Sequence, residues 1–115
     1  TIIISTPQGI ALQDAIKGIN MFKMTKTPII GMIQNMAQFK CPRCDESVYI
    51  FGGKSSVKSA CKDHDIEFLG DIPLHPNICE DADRGKPTVV AEPASDIAKA
   101  FLDIADRVGY KIGLS

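Results

Sequence analysis

Cys41 and Cys44 stand two residues apart in the run Cys41-Pro42-Arg43-Cys44. This spacing lets both sulfurs turn toward one soft metal, either Zn²⁺ or the iron of an iron–sulfur cluster. Either site needs about four ligands, and the pair supplies two. The rest must come from elsewhere in the chain or from a second copy of it. Within the chain, Cys61-Lys62-Asp63-His64 repeats the spacing. Cys41, Cys44, Cys61 and His64 together match a Cys₃His zinc pattern. The competing reading makes Cys61 a small apolar core residue and His64 a helix end. Cys79 stands alone and reads as a half-buried free thiol. A third reading is a thiol oxidoreductase using Cys41 and Cys44. It requires a helix starting at the first cysteine to lower the thiol pKa. Asp45 and Glu46 follow Cys44 instead, and their charge would raise it.

Four other features invite chemistry. Phe51-Gly52-Gly53-Lys54-Ser55-Ser56 contains Gly-Lys-Ser, but a phosphate-cradling loop needs a further glycine where Val48 stands. A turn leading into a helix accounts for it. Asn35 ends an apolar run, and its amide both donates and accepts, which suits the edge of a purine. An ordinary turn residue would look the same. His75 lies between two prolines and reads as exposed, with no partner. Asp81 and Asp83 read as a solvated helix face rather than a catalytic pair.

These groups must be held by a small α/β unit. The chain has 115 residues, the size of one domain, with 44% hydrophobic and 23% charged residues. Thirteen basic residues against 14 acidic ones give no electrostatic reason to expect nucleic acid or an anionic membrane as a partner. No apolar run approaches the ~20 residues of a transmembrane segment. Four cysteines without secretory features favour reduced thiols over disulfides.

Apolar runs at residues 1–5, 29–33 and 66–69 predict strands, the first of them buried on both faces. An all-apolar run directly at Thr1 leads us to expect the C-terminal part of a larger domain. Helical spacing predicts a first helix from a Thr6 cap with Pro7 at its first position, running to about Lys23. Further helices are expected over 54–64, in one or two turns over 78–84 stopped by Gly85, and from a Ser95 cap to a stop at Gly109. Residues 48–51 are strand-like, and 88–91 read as extended. Apolar strands alternating with amphipathic helices argue for a doubly wound parallel sheet. Ligands in that class bind beyond the carboxyl ends of the strands, here Ser5-Thr6-Pro7-Gln8, Gln34-Asn35-Met36 and Asp71-Ile72-Pro73-Leu74.

The run from Gly31 through Gln34-Asn35-Met36 to Cys41-Pro42-Arg43-Cys44, then Ile50-Phe51-Gly52, then Leu69-Gly70-Asp71-Ile72-Pro73-Leu74, resembles the Mrp/ApbC family of P-loop iron–sulfur carrier ATPases. It looks most like the mitochondrial nucleotide-binding-protein-like branch linked to complex I assembly. The resemblance covers essentially the whole chain. It implies that residues 1–115 are the C-terminal portion of one P-loop NTPase domain whose phosphate loop and Mg²⁺ ligands lie further N-terminal. It implies a [4Fe–4S] cluster held by Cys41 and Cys44 of two subunits in a homodimer, and delivered to apo iron–sulfur proteins. It implies ATP, with Asn35 touching the adenine and Pro73 and Leu74 forming the other wall of the base pocket. It implies the mitochondrial matrix, with the cytoplasm as the alternative. Without a phosphate loop, residues 1–115 alone are expected not to hydrolyse ATP.

Overall fold

A computed structural model describes residues 1–41, 43–44, 46–52 and 56–114. Three parallel strands form its sheet: β1 (Ile2–Ser5), β2 (Gly31–Gln34) and β5 (Phe68–Asp71), in the order β1-β2-β5. Ile2 pairs with Gly31 and Ser5 with Gln34, while Met32 pairs with Phe68 and Gln34 with Asp71. The predicted α/β class and parallel sheet are therefore found.

Successive side chains along a strand alternate between the faces of the sheet, so each face has its own apolar cluster. On one face α1 (Gly9–Met24) and α2 (Ser56–Asp63) bury Ile3, Ile19, Met32, Val57 and Cys61. On the other, α5 (Asp96–Lys111) buries Ile33, Leu69, Ile72 and Ile104. β1 is not covered on both sides as expected, because α5 packs on β5 at the far edge. Ile4 is consequently 61% exposed.

Other boundaries move for identifiable reasons. Thr6 does not cap α1. Gln8 occupies the cap position, and the Pro7 carbonyl instead accepts a hydrogen bond from Ser56 Oγ at 3.1 Å, tying this turn to α2. Gly70 does not end the third strand but lies inside β5. Its φ of 152° accompanies a register shift opposite Met32 and Ile33, and a Cβ there would meet Ile104 Cγ1 at 2.8 Å. Ser95 does cap α5, its Oγ accepting from the Ala98 N–H at 3.1 Å. α5 runs past Gly109 and stops at Gly113 (φ 83°), where Leu114 N–H donates to the Gly109 carbonyl at 2.8 Å. Residues 88–91 are helical, not extended. Pro87 starts this short α4 (Thr88–Ala91) by accepting from the Val90 and Ala91 N–H groups at 2.8 and 2.9 Å. The expected helix start at Lys54 and Ser55, and the Gly53 and Lys54 of the glycine-rich turn, lie outside the described residues.

Gly31 has the tightest surroundings. A Cβ there would sit 2.5 Å from Leu69 Cγ and 2.8 Å from the Glu67 carbonyl oxygen. The carbonyl cannot move without breaking its bond from the Met32 N–H. Gly31→Ala should therefore destabilise the fold by about 1–3 kcal/mol, read as a lower urea midpoint at unchanged slope.

Candidate functional site

β2 ends at Gln34, and the chain turns at Met36, whose φ is 53°. It then realigns with the segment leaving β5. Ile72 N–H donates to the Gln34 carbonyl at 2.8 Å, Ala37 N–H to the Ile72 carbonyl at 3.0 Å, and Leu74 N–H to the Gln38 carbonyl at 2.8 Å. Phe39 and Leu74 form a parallel bridge. The sheet ladder thus continues past both strand ends and delivers a hairpin, β3 (Phe39–Lys40) against β4 (Ser47–Val48). Cys41 follows β3 immediately, and its N–H donates to the Glu46 carbonyl at 2.9 Å, closing the turn. Cys41 is half-buried and Cys44 exposed, and neither is in a disulfide.

The hairpin forms one wall of a cavity of about 600 Å³. Cys41 and Lys40 lie on that wall, Pro73, Leu74 and His75 on the next, and Glu92 and Asp96 opposite. Two predicted groups, the metal pair through Cys41 and the Pro73–Leu74 segment, are therefore brought together. Asn35 is not in this cavity. Its N–H extends the β1–β2 ladder to the Ser5 carbonyl at 2.8 Å, and it sits half-buried at the strand end. At the same strand ends lie two polar atoms to which the sequence assigned no ligand contact of their own. Gln34 Oε1 and Thr6 Oγ1 are buried, with no hydrogen-bond partner among the described residues. A buried acceptor at the carboxyl end of a sheet is costly unless something donates to it.

The Cys₃His arrangement does not form. Cys61 lies 3% exposed in the α2 core cluster, and burial pushes its thiol pKa up. Among the described residues no three His, Cys, Asp or Glu side chains could hold a metal ion together. The oxidoreductase reading also loses its structural requirement, since Cys41 follows β3 in the turn of the β3–β4 hairpin rather than opening a helix.

Three further residues differ from their sequence reading. His75 is half-buried and has a partner: it caps α3 (Pro76–Asp83), its Nδ1 accepting from the Asn77 N–H at 3.0 Å. Asp81 is not solvated but 1% exposed. Arg84 Nη2 donates to its Oδ1 at 2.7 Å and Thr88 Oγ1 to its Oδ2 at 2.9 Å. Burial alone would push its pKa up. Hydrogen bonding with Thr88, Glu92 and Arg84, together with the Arg84 charge, outweighs burial and holds the carboxyl below its ordinary 3.8. Asp83 is exposed as expected. Cys79 is exposed rather than half-buried, and its Sγ donates to Asp83 Oδ2 at 3.6 Å. The Asp83 charge first, then that hydrogen bond, raise its thiol pKa.

Comparison with known proteins places this geometry. A family model described as ParA, NUBPL iron-transfer P-loop NTPase, matches residues 1–109. The chain belongs to this family. The mouse iron-sulfur cluster transfer protein NUBPL is 48% identical over 107 residues, covering 93% of this chain and 33% of that protein. An Arabidopsis thaliana protein named as the iron-sulfur protein required for NADH dehydrogenase, mitochondrial, is 43% identical over 107 residues, with 93% and 34% covered. The nucleotide-binding protein of Archaeoglobus fulgidus, solved in complex with ADP, superposes with a TM-score of 0.66 at 34% identity, over 87% of this chain and 40% of that one. The chain thus spans about a third of the curated NUBPL-type relatives it matches, and its fold is that of the P-loop NTPases.

Two outcomes follow from these environments. Iodoacetamide applied to the native protein should label exposed Cys44 first, Cys79 more slowly because of Asp83, and Cys61 only after unfolding; peptide mass spectrometry reads the order. Asp81, with its lowered folded pKa, contributes stability above its unfolded pKa that is lost as the pH falls through the folded value, below 3.8. The stability gap between wild type and Asp81→Asn should therefore hold at neutral pH and close only in acid below that value, as followed by urea titration across pH.

Proposed function

We propose that residues 1–115 are the cluster-holding, C-terminal portion of an iron–sulfur carrier domain. Its cargo is a [4Fe–4S] cluster that two copies of the chain hold between them. The observation that carries this reading is a pair of cysteines outside any disulfide, set at a hairpin, with no third ligand to join them among the described residues. A two-fold axis repeats one surface patch on both partners, so two thiolates per chain become the four that a cluster requires. Hairpin composition supports the same contact. Val48 and Ile50, and Met36 ahead of the hairpin, are large apolar side chains left exposed close to the pair in sequence, and a second copy would cover them. Cys41 and Cys44 act as thiolate ligands, with Cys41 set in the cavity wall and Cys44 at the surface.

ATP is assigned to the carboxyl ends of the sheet. Gln34 Oε1 and Thr6 Oγ1 are buried there without partners among the described residues, which suits a ligand that brings donors. Asn35 would read the adenine edge, and Pro73 and Leu74 would supply apolar contact on the far side of the ladder. Phosphate binding and Mg²⁺ would fall to a phosphate loop that these 115 residues do not contain. The recipients would be apo iron–sulfur proteins. A relative required for NADH dehydrogenase points to respiratory complex I among them, and its mitochondrial naming points to the matrix.

The test is anaerobic reconstitution with iron and sulfide, followed by iron content, visible absorption and molecular mass. Cys41→Ser and Cys44→Ser should each abolish iron and the dimer together, since each removes two of four ligands. Cys61→Ala should lower stability by about 1 kcal/mol and leave iron per chain unchanged. Stoichiometric metal in a monomer, lost on Cys61→Ala, would sink the proposal.

A further inference from the structure

His75 has one nitrogen engaged and one unaccounted for. Its Nδ1 accepts from the Asn77 N–H at 3.0 Å. An imidazole nitrogen that accepts carries no proton, so the proton sits on Nε2. Among the described residues nothing accepts from that Nε2–H. The ring lines the same cavity as Cys41. Register places it there. Phe39 bridges Leu74 in parallel, and His75 is still extended (φ −150°, ψ 137°), so Lys40 and His75 run side by side one residue before Cys41. Strict alternation would turn the next residue to the other face, but β3 ends at Lys40 and Cys41 already belongs to the turn, so that Cys41 and His75 both line the cavity.

We propose that His75 is a positioning residue for the cargo, donating its Nε2–H to sulfur on the Cys41 side of the site. The inference rests on the carrier reading above. The cap and the donor belong to one ring: the Asn77 N–H fixes both the tautomer and the orientation, and the free edge is what the site uses. Hydrogen bonds to ligand sulfur spread its negative charge, which raises the reduction potential and slows loss of metal. No other described wall of the cavity offers a neutral N–H donor on a ring held in this way. Lys40 is the nearby cation, on a flexible stem.

The experiment separates donor from cap. Asn and Ser both cap helices well and carry no imidazole, so His75→Asn and His75→Ser should keep the wild-type circular dichroism and melting curve. Wild type, both variants and Cys41→Ser are reconstituted anaerobically with ferrous iron and sulfide. The capping variants should load iron to wild-type stoichiometry, lose it to a chelator about tenfold faster, and show a lower midpoint potential. Two capping variants guard against one of them misfolding. Chelation rate and potential equal to wild type would reduce His75 to a cap and overturn this inference alone. Failure of the capping variants to load iron would make His75 a ligand and overturn it too. A wild type that takes up no iron, or a Cys41→Ser that takes up as much, would overturn the carrier reading and this inference with it.

Discussion

Backbone pairing between residues 37–39 and 72–74 is the constraint on which the site depends. Strands β2 and β5 are four residues each, and the sheet could have ended with them. Instead the Ala37–Ile72 and Leu74–Gln38 hydrogen bonds and the Phe39–Leu74 bridge carry the parallel ladder onward. Parallel pairing has a fixed direction and spacing, so residues leaving β2 and residues leaving β5 stay matched. That matching places Cys41 in one cavity with Pro73, Leu74 and His75. Side-chain chemistry alone would not assemble them, because more than 30 positions separate the two segments.

The two sides of the cavity are built differently. Across from the hairpin, α3 and α4 are locked by a buried carboxylate that bridges Arg84 and Thr88, while Asn77 Nδ2 reaches both oxygens of Glu92 at 3.3 Å. Breaking into that corner would strand a buried charge, which is among the more costly changes a fold can suffer. The hairpin has two residue pairs and exposed apolar side chains. One wall is therefore a fixed reference and the other a light arm attached through the ladder.

Much of this was legible in the sequence. Continuous apolar runs separated by amphipathic stretches are a strong signal, and they marked all three strands and the long helices. The spacing of Cys41 and Cys44 marked them as candidates, and of the two readings left open for Cys61 the fold takes the core one. What escaped was short or tertiary. Two-residue strands at Phe39–Lys40 and Ser47–Val48 are too brief to show a period of two. Thr88-Val89-Val90 has β-forming side chains, yet a Pro87 start and the Thr88–Asp81 hydrogen bond override that preference. Asp81 could not be told from Asp83 without knowing that Thr88 folds back over it. His75 looked idle because histidine is not among the favoured capping residues.

The brevity of β3 and β4 also bears on handover. Stability varies within a fold, and a segment with few buried contacts opens far more often than the sheet beneath it. Two cross-strand pairs and a half-solvated Val48 put this hairpin at the low end of that range. It can unzip and re-form many times while Met32 and Leu69 stay sealed in the interior. Under the proposed carrier function, a ligand pair mounted on such an element would surrender its cargo by local fraying, and residence time would be set by a few backbone bonds rather than by the stability of the whole protein.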